Sequence, residues 1–352
     1  MRIEADCRKI KANTEAVVAL CAPWGIEVVG VSKCVCGEPG IARAMLAGGC
    51  VMIGESRLDN IRRLRQAGVD CDIMLLRLPA LSEIDEVVAR TQVSLNSEEL
   101  VVRALSASAV RQGIAHRVLV VVEAGDRREG VMPYEAAGLC RLVLDLPGLE
   151  LEGVAVCLNC LCGVLPTREN QERFATLALE IEGKLGLRLR TVSGGHTGNL
   201  HLVMEGAVPE RFTQLRVGEG ILFGTDMTTG AALPVPHTDT FTAFAEVIEL
   251  KDKPSAPDGT VGIDAFHRRR QWPDLGVRRR AICAMGETDL SVSFLTPAHP
   301  GVSIVSASSD HTVLDVTDAE PPVQLGDELR FAAAYTAVAY GWTNAATAHT
   351  VV

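Results

Sequence analysis

The sequence predicts an α/β fold in which a (β/α)8 barrel, the TIM barrel, is followed by a smaller β-rich domain. Between residues 27 and 224, short apolar runs alternate with longer amphipathic stretches, the pattern of a parallel sheet covered by helices. There are eight such runs and seven intervening stretches, which matches the strand number of a closed barrel. After Gly224 the runs become short and alternating, with Gly and Pro between them, which indicates a β-rich domain.

The predicted strands share an aliphatic, β-branched composition, as expected where a sheet is buried on both faces. They are Glu27–Lys33, Val51–Glu55, Asp72–Arg77, Val93–Asn96, Arg117–Glu123, Leu149–Leu158, Arg190–Ser193 and Phe212–Phe223. The predicted helices are Pro39–Ala47, Leu58–Gln66, Leu81–Arg90, Glu98–Gln112, Pro133–Asp145, Glu169–Leu185 and Gly198–Met204. An open doubly wound sheet is the rival fold, but its first strand usually runs into a glycine-rich turn. Here the first strand ends in Ser32-Lys33, which favours the barrel.

The predicted domains are a barrel over residues 1–230 and a β domain over residues 231–352, and Met1–Asp6 is a candidate strand of the second. Pro234 and Pro236 mark the linker. The predicted strands of the β domain are Thr242–Leu250, Ala281–Ala284, Val302–Ser306, Thr312–Val316 and Glu328–Ala334.

Composition and charge narrow the classes of function. A net charge of −10, with acids and bases interspersed, argues against a nucleic acid or an anionic membrane as partner. The N-terminus lacks the apolar stretch of a signal peptide, and no uninterrupted apolar run is long enough to span a membrane. The 11 cysteines are scattered and odd in number. We therefore expect reduced thiols in a cytoplasmic protein.

Polar residues fall where the predicted strands end, which is where barrels carry their chemistry. They are Lys33, Glu55, Arg77, Asn96, Asp126–Arg128, Asn159, Ser193 and Arg216. Lys33 ends an apolar strand, so we expect a desolvated amine of lowered pKa that can form an imine with an aldehyde. The alternative is a surface lysine whose apolar stem lies along the protein.

Two glycine-containing segments follow the last two predicted strands, Ser193–Thr197 and Arg216–Gly220. Glycines there expose backbone N–H groups, and the Thr197 hydroxyl adds a donor. Barrels often bind phosphate at this position, so the pair predicts a phosphate site.

The cluster Cys157-x-x-Cys160-x-Cys162 has one feature of a metal site. It lacks a second ligand pair at zinc-finger spacing, so we expect cysteines that are structural or that line a cofactor, and no metal.

Nine blocks carry a family resemblance. They are Val29–Lys33, Leu75–Glu83, Ser94–Ser97, Gly125–Gly130, Leu151–Val164, Ser193–Gly195, Gln214–Gly224, Arg280–Asp289 and Ser308–Asp318. Over nearly its whole length the chain resembles the fold-type III pyridoxal-phosphate enzymes, the alanine racemase group, and most of all its ornithine racemase branch. The resemblance implies pyridoxal 5′-phosphate as cofactor, held as a Schiff base on Lys33, which would also be one of two catalytic bases.

The resemblance also implies roles for other residues near the cofactor. Arg216 would face the pyridine nitrogen, and Arg128 would lie near the phenolic oxygen, although a salt bridge within the charged run is as plausible for Arg128. Thr197 and the amides of Gly218 and Glu219 would bind the phosphate. Further cofactor-binding candidates in these blocks are Cys157, Asn159, Ser193 and His196.

The chain departs from alanine racemases where those enzymes have their second base. The segment Met285–Asp289 contains no tyrosine, and Gly37 stands where the first phosphate-binding tyrosine would fall. Cys157 stands where the resemblance places a histidine in alanine racemases and an asparagine in most ornithine racemases. A specialist for alanine is therefore not expected. His311, beside Asp310, is the candidate for the second base, because a histidine oriented by a carboxylate exchanges protons near neutral pH. A histidine with only a structural role in a turn is the alternative.

The expected function is racemisation of a free amino acid by two-base proton transfer at Cα. The expected substrate is basic, such as ornithine or lysine, with Glu287 and Asp289 as carboxylate partners, although both could be ordinary solvated turn residues. The resemblance implies a homodimer with shared active sites. The alternatives are decarboxylation or aldol cleavage with the same cofactor, or a carrier of pyridoxal phosphate that has no catalytic activity.

Overall fold

The computed structural model describes all 352 residues and divides them into two compact units. The barrel unit is Cys7–Thr238, and the β unit is Met1–Asp6 together with Asp239–Val352. The boundary therefore lies after Thr238, whereas the sequence prediction placed it after residue 230. None of the helices has the length and apolar character needed to cross a membrane.

The chain begins with strand β1 (Arg2–Ala5) and helix α1 (Cys7–Cys21). The barrel strands follow: β2 (Glu27–Val31), β3 (Met52–Glu55), β4 (Ile73–Leu75), β5 (Val93–Asn96), β6 (His116–Val122), β7 (Leu149–Val156), β8 (Thr191–His196) and β9 (Gln214–Val217). Each pairs in parallel with the next, and β9 pairs with β2 to close the ring. The predicted eight-stranded barrel is confirmed.

The remaining barrel helices alternate with these strands. They are α2 (Pro39–Ala47), α3 (Leu58–Gln66), α4 (Ile84–Arg90), α5 (Glu99–Gln112), α6 (Ala136–Asp145), α7 (Arg168–Leu185), α8 (Leu200–Met204) and α9 (Glu219–Leu222). Apolar side chains from the strands fill the barrel, among them Val29, Met52, Met74, Leu119 and Val121, all buried. The barrel is therefore a packed core, and only its rim can hold a ligand.

The first and last predicted barrel strands extended past the observed strands into other structure. The first ends at Val31, and Lys33 begins a short 3-10 turn that extends to Val35. The last ends at Val217, and the apolar residues that follow form helix α9. A short buried helix and a buried strand have the same apolar composition, so periodicity could not separate them.

Helix α1 was not predicted because its buried face includes polar residues. Asn13 and Thr14 are fully buried there. The Asn13 side chain donates to the carbonyl oxygens of Ile221 and His237 at 3.0 and 2.7 Å. An amide on the apolar stripe hides the amphipathic pattern, and here it connects α1 to α9.

The β unit is a mainly antiparallel sheet with one helix, in which only β1 and β16 pair in parallel. Its elements are β10 (Phe241–Pro254), β11 (Val277–Cys283), β12 (Leu295–Pro297), β13 (Ser303–Ala307), β14 (Thr312–Asp315), β15 (Glu328–Ala333), α10 (Tyr335–Thr343) and β16 (Ala348–Val351). The strand order is β12-β15-β10-β11-β14-β13, and β1 pairs with β10 and β16. The β-rich second domain is confirmed, whereas β12, β16 and α10 were not predicted.

We predict that Gly153→Ala destabilises the barrel strongly. Gly153 lies in β7 at a φ of +152°, and a Cβ there would come within 1.8 Å of the Thr191 carbonyl oxygen of β8. Both the backbone strain and the collision oppose folding. The expected result is a lower thermal midpoint, followed by circular dichroism.

Gly183→Ala is the matched control. Gly183 lies inside α7, and nothing lies within 4 Å of its Cβ position, so alanine should stabilise the helix by about 0.5–1 kcal/mol. A Gly153→Ala protein that melts with the wild type would contradict the strand geometry.

Candidate active site

The barrel brings together strand ends that are far apart in the sequence. Lys33 follows β2, Cys157 follows β7, His196 ends β8 and Gly218 follows β9. Because all eight strands are parallel, their carboxyl ends form one rim. The other predicted strand-end residues also follow their strands at this rim. Among them, Arg77 is exposed and its side chain is paired with Glu83.

The Lys33 side chain is exposed at this rim, and its Nζ has no hydrogen-bond or ion-pair partner. The expected desolvation of this amine was therefore wrong. The preceding residue is fixed instead: Ser32 Oγ donates to the buried Glu55 carboxylate at 3.0 Å. Asn60 Nδ2 also donates to Glu55, at 2.9 Å. Burial raises the pKa of Glu55, although these hydrogen bonds oppose the effect.

Arg216 is buried within the rim, with 5% of its surface exposed. Its Nη2 donates to the Val156 carbonyl oxygen at 2.7 Å, and its Nη1 donates to Ser193 Oγ. Burial lowers the pKa of this guanidinium, and the nearby cysteines oppose the shift. The two hydrogen bonds, one from each terminal nitrogen, thus fix the orientation of the guanidinium.

The two predicted phosphate segments are in contact. The backbone N–H of Gly220 donates to Thr197 Oγ1 at 3.2 Å. Gly218 caps the first turn of α9, so N–H groups there have no partner within the helix. Glu219 accepts from Thr225 Oγ1 at 3.3 Å, and burial raises the pKa of its carboxyl group.

Three sulfur and nitrogen ligand atoms meet beside Arg216. The sulfurs of Cys157 and Cys160 lie 3.4 Å apart, and Cys160 Sγ lies 3.4 Å from His196 Nε2. His196 Nδ1 accepts the Gly198 N–H at 3.1 Å. Since Nδ1 is an acceptor, the ring proton is on Nε2, which donates to the Leu158 carbonyl oxygen.

This environment favours a thiolate at Cys157. The hydrogen bond from the Cys160 thiol lowers the pKa of Cys157, and His196 and Arg216 add to that effect against the cost of burial. The pKa of Cys160 is raised by the same hydrogen bond and by burial. Arg128 Nη2 also donates to Cys157 Sγ, at 3.2 Å, and Arg128 pairs with Glu129.

The sequence reasoning missed the role of Asp126, which fixes the loop after β7. Asp126 is 1% exposed. Its carboxylate accepts four backbone N–H groups, those of Cys160, Leu161, Cys162 and Val164, at 3.0, 2.7, 3.1 and 3.3 Å. Burial would raise the pKa of Asp126, but these four donors together hold it below its usual value.

Asn159 lies in the same loop, with a φ of +57°. This left-handed conformation is one that asparagine tolerates better than most residues. Asn159 therefore contributes to the tight turn that brings Cys160 back to Cys157.

Comparison with known proteins points to one family. Residues 5–226 match the family described as alanine racemase, N-terminal domain. The chain is 36% identical over 346 residues to a lysine racemase from Thermotoga maritima, covering 97% of this chain and 96% of the relative. It is 33% identical over 346 residues to an ornithine racemase from Acetoanaerobium sticklandii, covering 97% of each. The chain belongs to the alanine racemase family.

The fold agrees with this assignment. The alanine racemase from Streptomyces coelicolor A3(2) superposes on 100% of this chain and 97% of its own, with a TM-score of 0.77 at 16% identity. Like its relatives in the alanine racemase family, the protein is a racemase that depends on pyridoxal 5′-phosphate.

The residues of the rim fit this cofactor. An aldehyde needs a free amine, and Lys33 Nζ has no partner. Asn199, two residues after Thr197, is buried and its Nδ2 has no hydrogen-bond partner. Together with the Thr197 hydroxyl and the N–H groups at Gly218, this amide supplies donors of the kind that a phosphate accepts.

The β unit holds His311 and Asp310, in the turn between β13 and β14. His311 is exposed. The Asp310 carboxylate accepts from Ser309 Oγ at 2.6 Å, and no hydrogen bond joins it to the His311 ring. The structure therefore does not bear out the expected orientation of His311 by Asp310.

Glu287 and Asp289, the carboxylates predicted to pair with a basic substrate, differ in whether an oxygen remains available for a further donor. Glu287 pairs with Arg268 Nη1 at 2.8 Å, and its other oxygen accepts the Val292 N–H at 3.2 Å. One oxygen of Asp289 accepts the Gly286 N–H at 2.8 Å. Both acids line a cavity of about 250 Å³ in this unit, where Asp289 retains an oxygen for a further donor.

We predict that Asp126→Asn loosens the loop after β7. An amide offers one oxygen where the carboxylate offers two, and its NH2 group would face backbone donors. Amide exchange in Cys160–Val164 should rise at least about tenfold, a loss typical of one charge-assisted hydrogen bond. Asp70→Asn, at an exposed position, is the control.

The same loop should respond to pH. Because the folded pKa of Asp126 lies below the ordinary 3.8, the carboxylate stabilises the loop above that value, and this stability is lost as pH falls through the folded pKa. Exchange protection of Cys160–Val164, taken relative to the intrinsic exchange rate at each pH, should fall as pH drops below 3.8; protection that stays constant there would contradict the four-donor arrangement.

Proposed function

We propose that the enzyme interconverts the L- and D-forms of a basic amino acid, lysine or ornithine. The observation that carries the proposal is the Lys33 amine, which lies without a partner on a rim that also holds the oriented Arg216 guanidinium. Similarity to lysine and ornithine racemases over 97% of the chain supports the substrate class. The protein's net charge of −10 is compatible with a cationic substrate.

Lys33 would hold the cofactor covalently and, when the substrate replaces it, would move a proton to or from Cα. Bound pyridoxal phosphate supplies an electron-withdrawing ring that makes the Cα proton of an amino acid acidic. The exposed position of Lys33 leaves its amine free to exchange its bond partner. Glu55 has a separate task, because it fixes Ser32 and thereby the start of the turn that carries Lys33.

Arg216 would keep the cofactor ring from taking a proton. A guanidinium donates hydrogen bonds and does not give up its proton. Its anchors at Ser193 and Val156 hold it in place. A ring that stays neutral withdraws electrons less strongly, which favours prompt return of the proton to Cα over competing reactions. Thr197, Gly218 and Glu219 would bind the phosphate, and Arg128 would lie at the phenolic oxygen.

Racemisation needs a second proton-transfer group on the opposite face of Cα, and we assign it to His311 of the β unit. An imidazole exchanges protons near neutral pH. We further propose a cytoplasmic homodimer, in which the β unit of one protomer completes the barrel rim of the other. In support of the compartment, all 11 cysteines are free thiols. Asp289, with an oxygen available, would be the partner of the substrate's side-chain ammonium.

A panel of free L-amino acids tests the reaction and its substrate class. We expect D-lysine or D-ornithine by chiral chromatography, with kcat/KM at least about 100-fold above that for alanine, because a site that pairs with an ammonium discriminates against side chains that lack one. In deuterium oxide, deuterium should enter Cα without loss of carbon. Decarboxylated or aldol products, or no turnover by cofactor-loaded protein, would overturn the proposal.

Mixed dimers test the shared site. Lys33→Ala and His311→Ala should each lower kcat about 10²-fold or more. After subunit exchange between the two variants, about one quarter of wild-type activity should return, since half of the dimers are mixed and one of their two sites is intact. His299→Ala in place of His311→Ala is the control, and it should retain activity before mixing. No recovery in a preparation shown to contain mixed dimers would contradict shared sites.

A further inference from the structure

The dithiol at the barrel rim has no role in the proposed proton transfer. Cys157 Sγ and Cys160 Sγ lie 3.4 Å apart, and both are free. We propose that Cys157 and Cys160 form an oxidation site, at which a hydroperoxide converts the two thiols into an intramolecular disulfide.

Little movement separates the thiols from a bond. A disulfide has a sulfur–sulfur length of about 2.05 Å, so the two sulfurs must approach by rather more than 1 Å. The intervening residues Leu158 and Asn159 already form the turn that brings them together. The backbone N–H of Cys160 donates to the Asp126 carboxylate at 3.0 Å. This hydrogen bond fixes the loop in a conformation in which the two sulfurs are already close.

The surroundings assign different parts to the two sulfurs. Arg128 Nη2 donates to Cys157 Sγ at 3.2 Å. Cys160 Sγ lies 3.4 Å from His196 Nε2, whose proton is donated to the Leu158 carbonyl oxygen. The lowered pKa of Cys157 gives the thiolate, which is the nucleophile in thiol oxidation. The raised pKa of Cys160 keeps it a thiol that can resolve the first product.

Most other cysteines are protected from the same reaction. Cys21, Cys34, Cys50, Cys140 and Cys283 are buried, and burial raises the pKa of each. Thiols in such surroundings are inert. Cys157 and Cys160 are only partly buried. Peroxide should therefore reach this pair and find a thiolate.

The reaction balances with the hydroperoxide as oxidant. The Cys157 thiolate attacks the peroxide oxygen, which breaks the O–O bond, forms a sulfenic acid and releases an alcohol or water after proton uptake. The Cys160 sulfur then attacks Cys157 Sγ, and the hydroxyl leaves as water with the Cys160 proton. The two thiols together lose two electrons, and the peroxide gains the same two electrons.

A metal ion is the rival occupant of this cluster. Cys157, Cys160 and His196 place their ligand atoms within 4.8 Å of one another. Binding through His196 Nε2 would move the ring proton to Nδ1, but Nδ1 faces the Gly198 N–H at 3.1 Å. Two donors would then oppose each other, so the hydrogen bonds favour the dithiol over a metal site.

Oxidation should affect the cofactor site. The disulfide removes the thiolate that Arg128 contacts and that compensates the buried Arg216 charge. Loss of one charge-assisted hydrogen bond predicts a fall in activity of about tenfold, reversed by a dithiol reductant. This consequence depends on the proposed function, whereas formation of the disulfide does not.

The test is mass spectrometry of the holoenzyme after treatment with a small molar excess of hydrogen peroxide. Residues 142–168 form one tryptic peptide that contains Cys157, Cys160 and Cys162. We expect this peptide to lose two hydrogens, and to recover them with dithiothreitol. Cys162 lies outside the cluster, so Cys162→Ser should retain both the mass change and the untreated activity.

The other two variants separate the roles of the sulfurs. Cys160→Ser should show oxygen addition at Cys157 without a disulfide, and Cys157→Ser should show neither. The proposal is overturned if wild-type protein forms no disulfide while Cys162 is oxidised, or if the mass change persists in Cys160→Ser. It is also overturned if purified holoenzyme carries one zinc per chain that Cys160→Ser lacks, since the cluster would then be a metal site.

Discussion

Closure of the barrel in one parallel register is the constraint on which the site depends. The pairing of β9 with β2 places Arg216 opposite Val29, and the pairing of β8 with β9 places His196 opposite Arg216. Groups separated by most of the barrel sequence therefore share one rim. A shift of one residue in either pairing would reverse the side-chain directions along the strand, and Arg216 would leave the rim.

The strand-end rule predicted the rim from sequence but did not predict its environment. Lys33 and Arg216 lie at the carboxyl ends of their strands, because alternating apolar and amphipathic segments define those ends. Exposure of Lys33 depends on the turn that follows β2, which periodicity does not describe. The four hydrogen bonds to the Asp126 carboxylate could not be predicted from the sequence either. They join residues more than 30 positions apart, and the donors are backbone N–H groups, which carry no sequence signal.

Electrostatic compensation links the buried Arg216 guanidinium to the dithiol. A buried guanidinium is costly unless it is hydrogen-bonded and its charge is balanced. Ser193 and Val156 supply the hydrogen bonds, and the lowered pKa of Cys157 favours negative charge nearby. Cys157 thus gives the rim a group whose charge would be lost in the proposed oxidation.

The assignment of Lys33 is tested most directly by borohydride reduction of the holoenzyme followed by tryptic mapping. A pyridoxyl group on Lys33 blocks cleavage there, so the label should be found on one peptide that spans residues 12–43. Label on any other lysine, or cleavage after Lys33 in protein that retains reduced cofactor, would contradict the assignment.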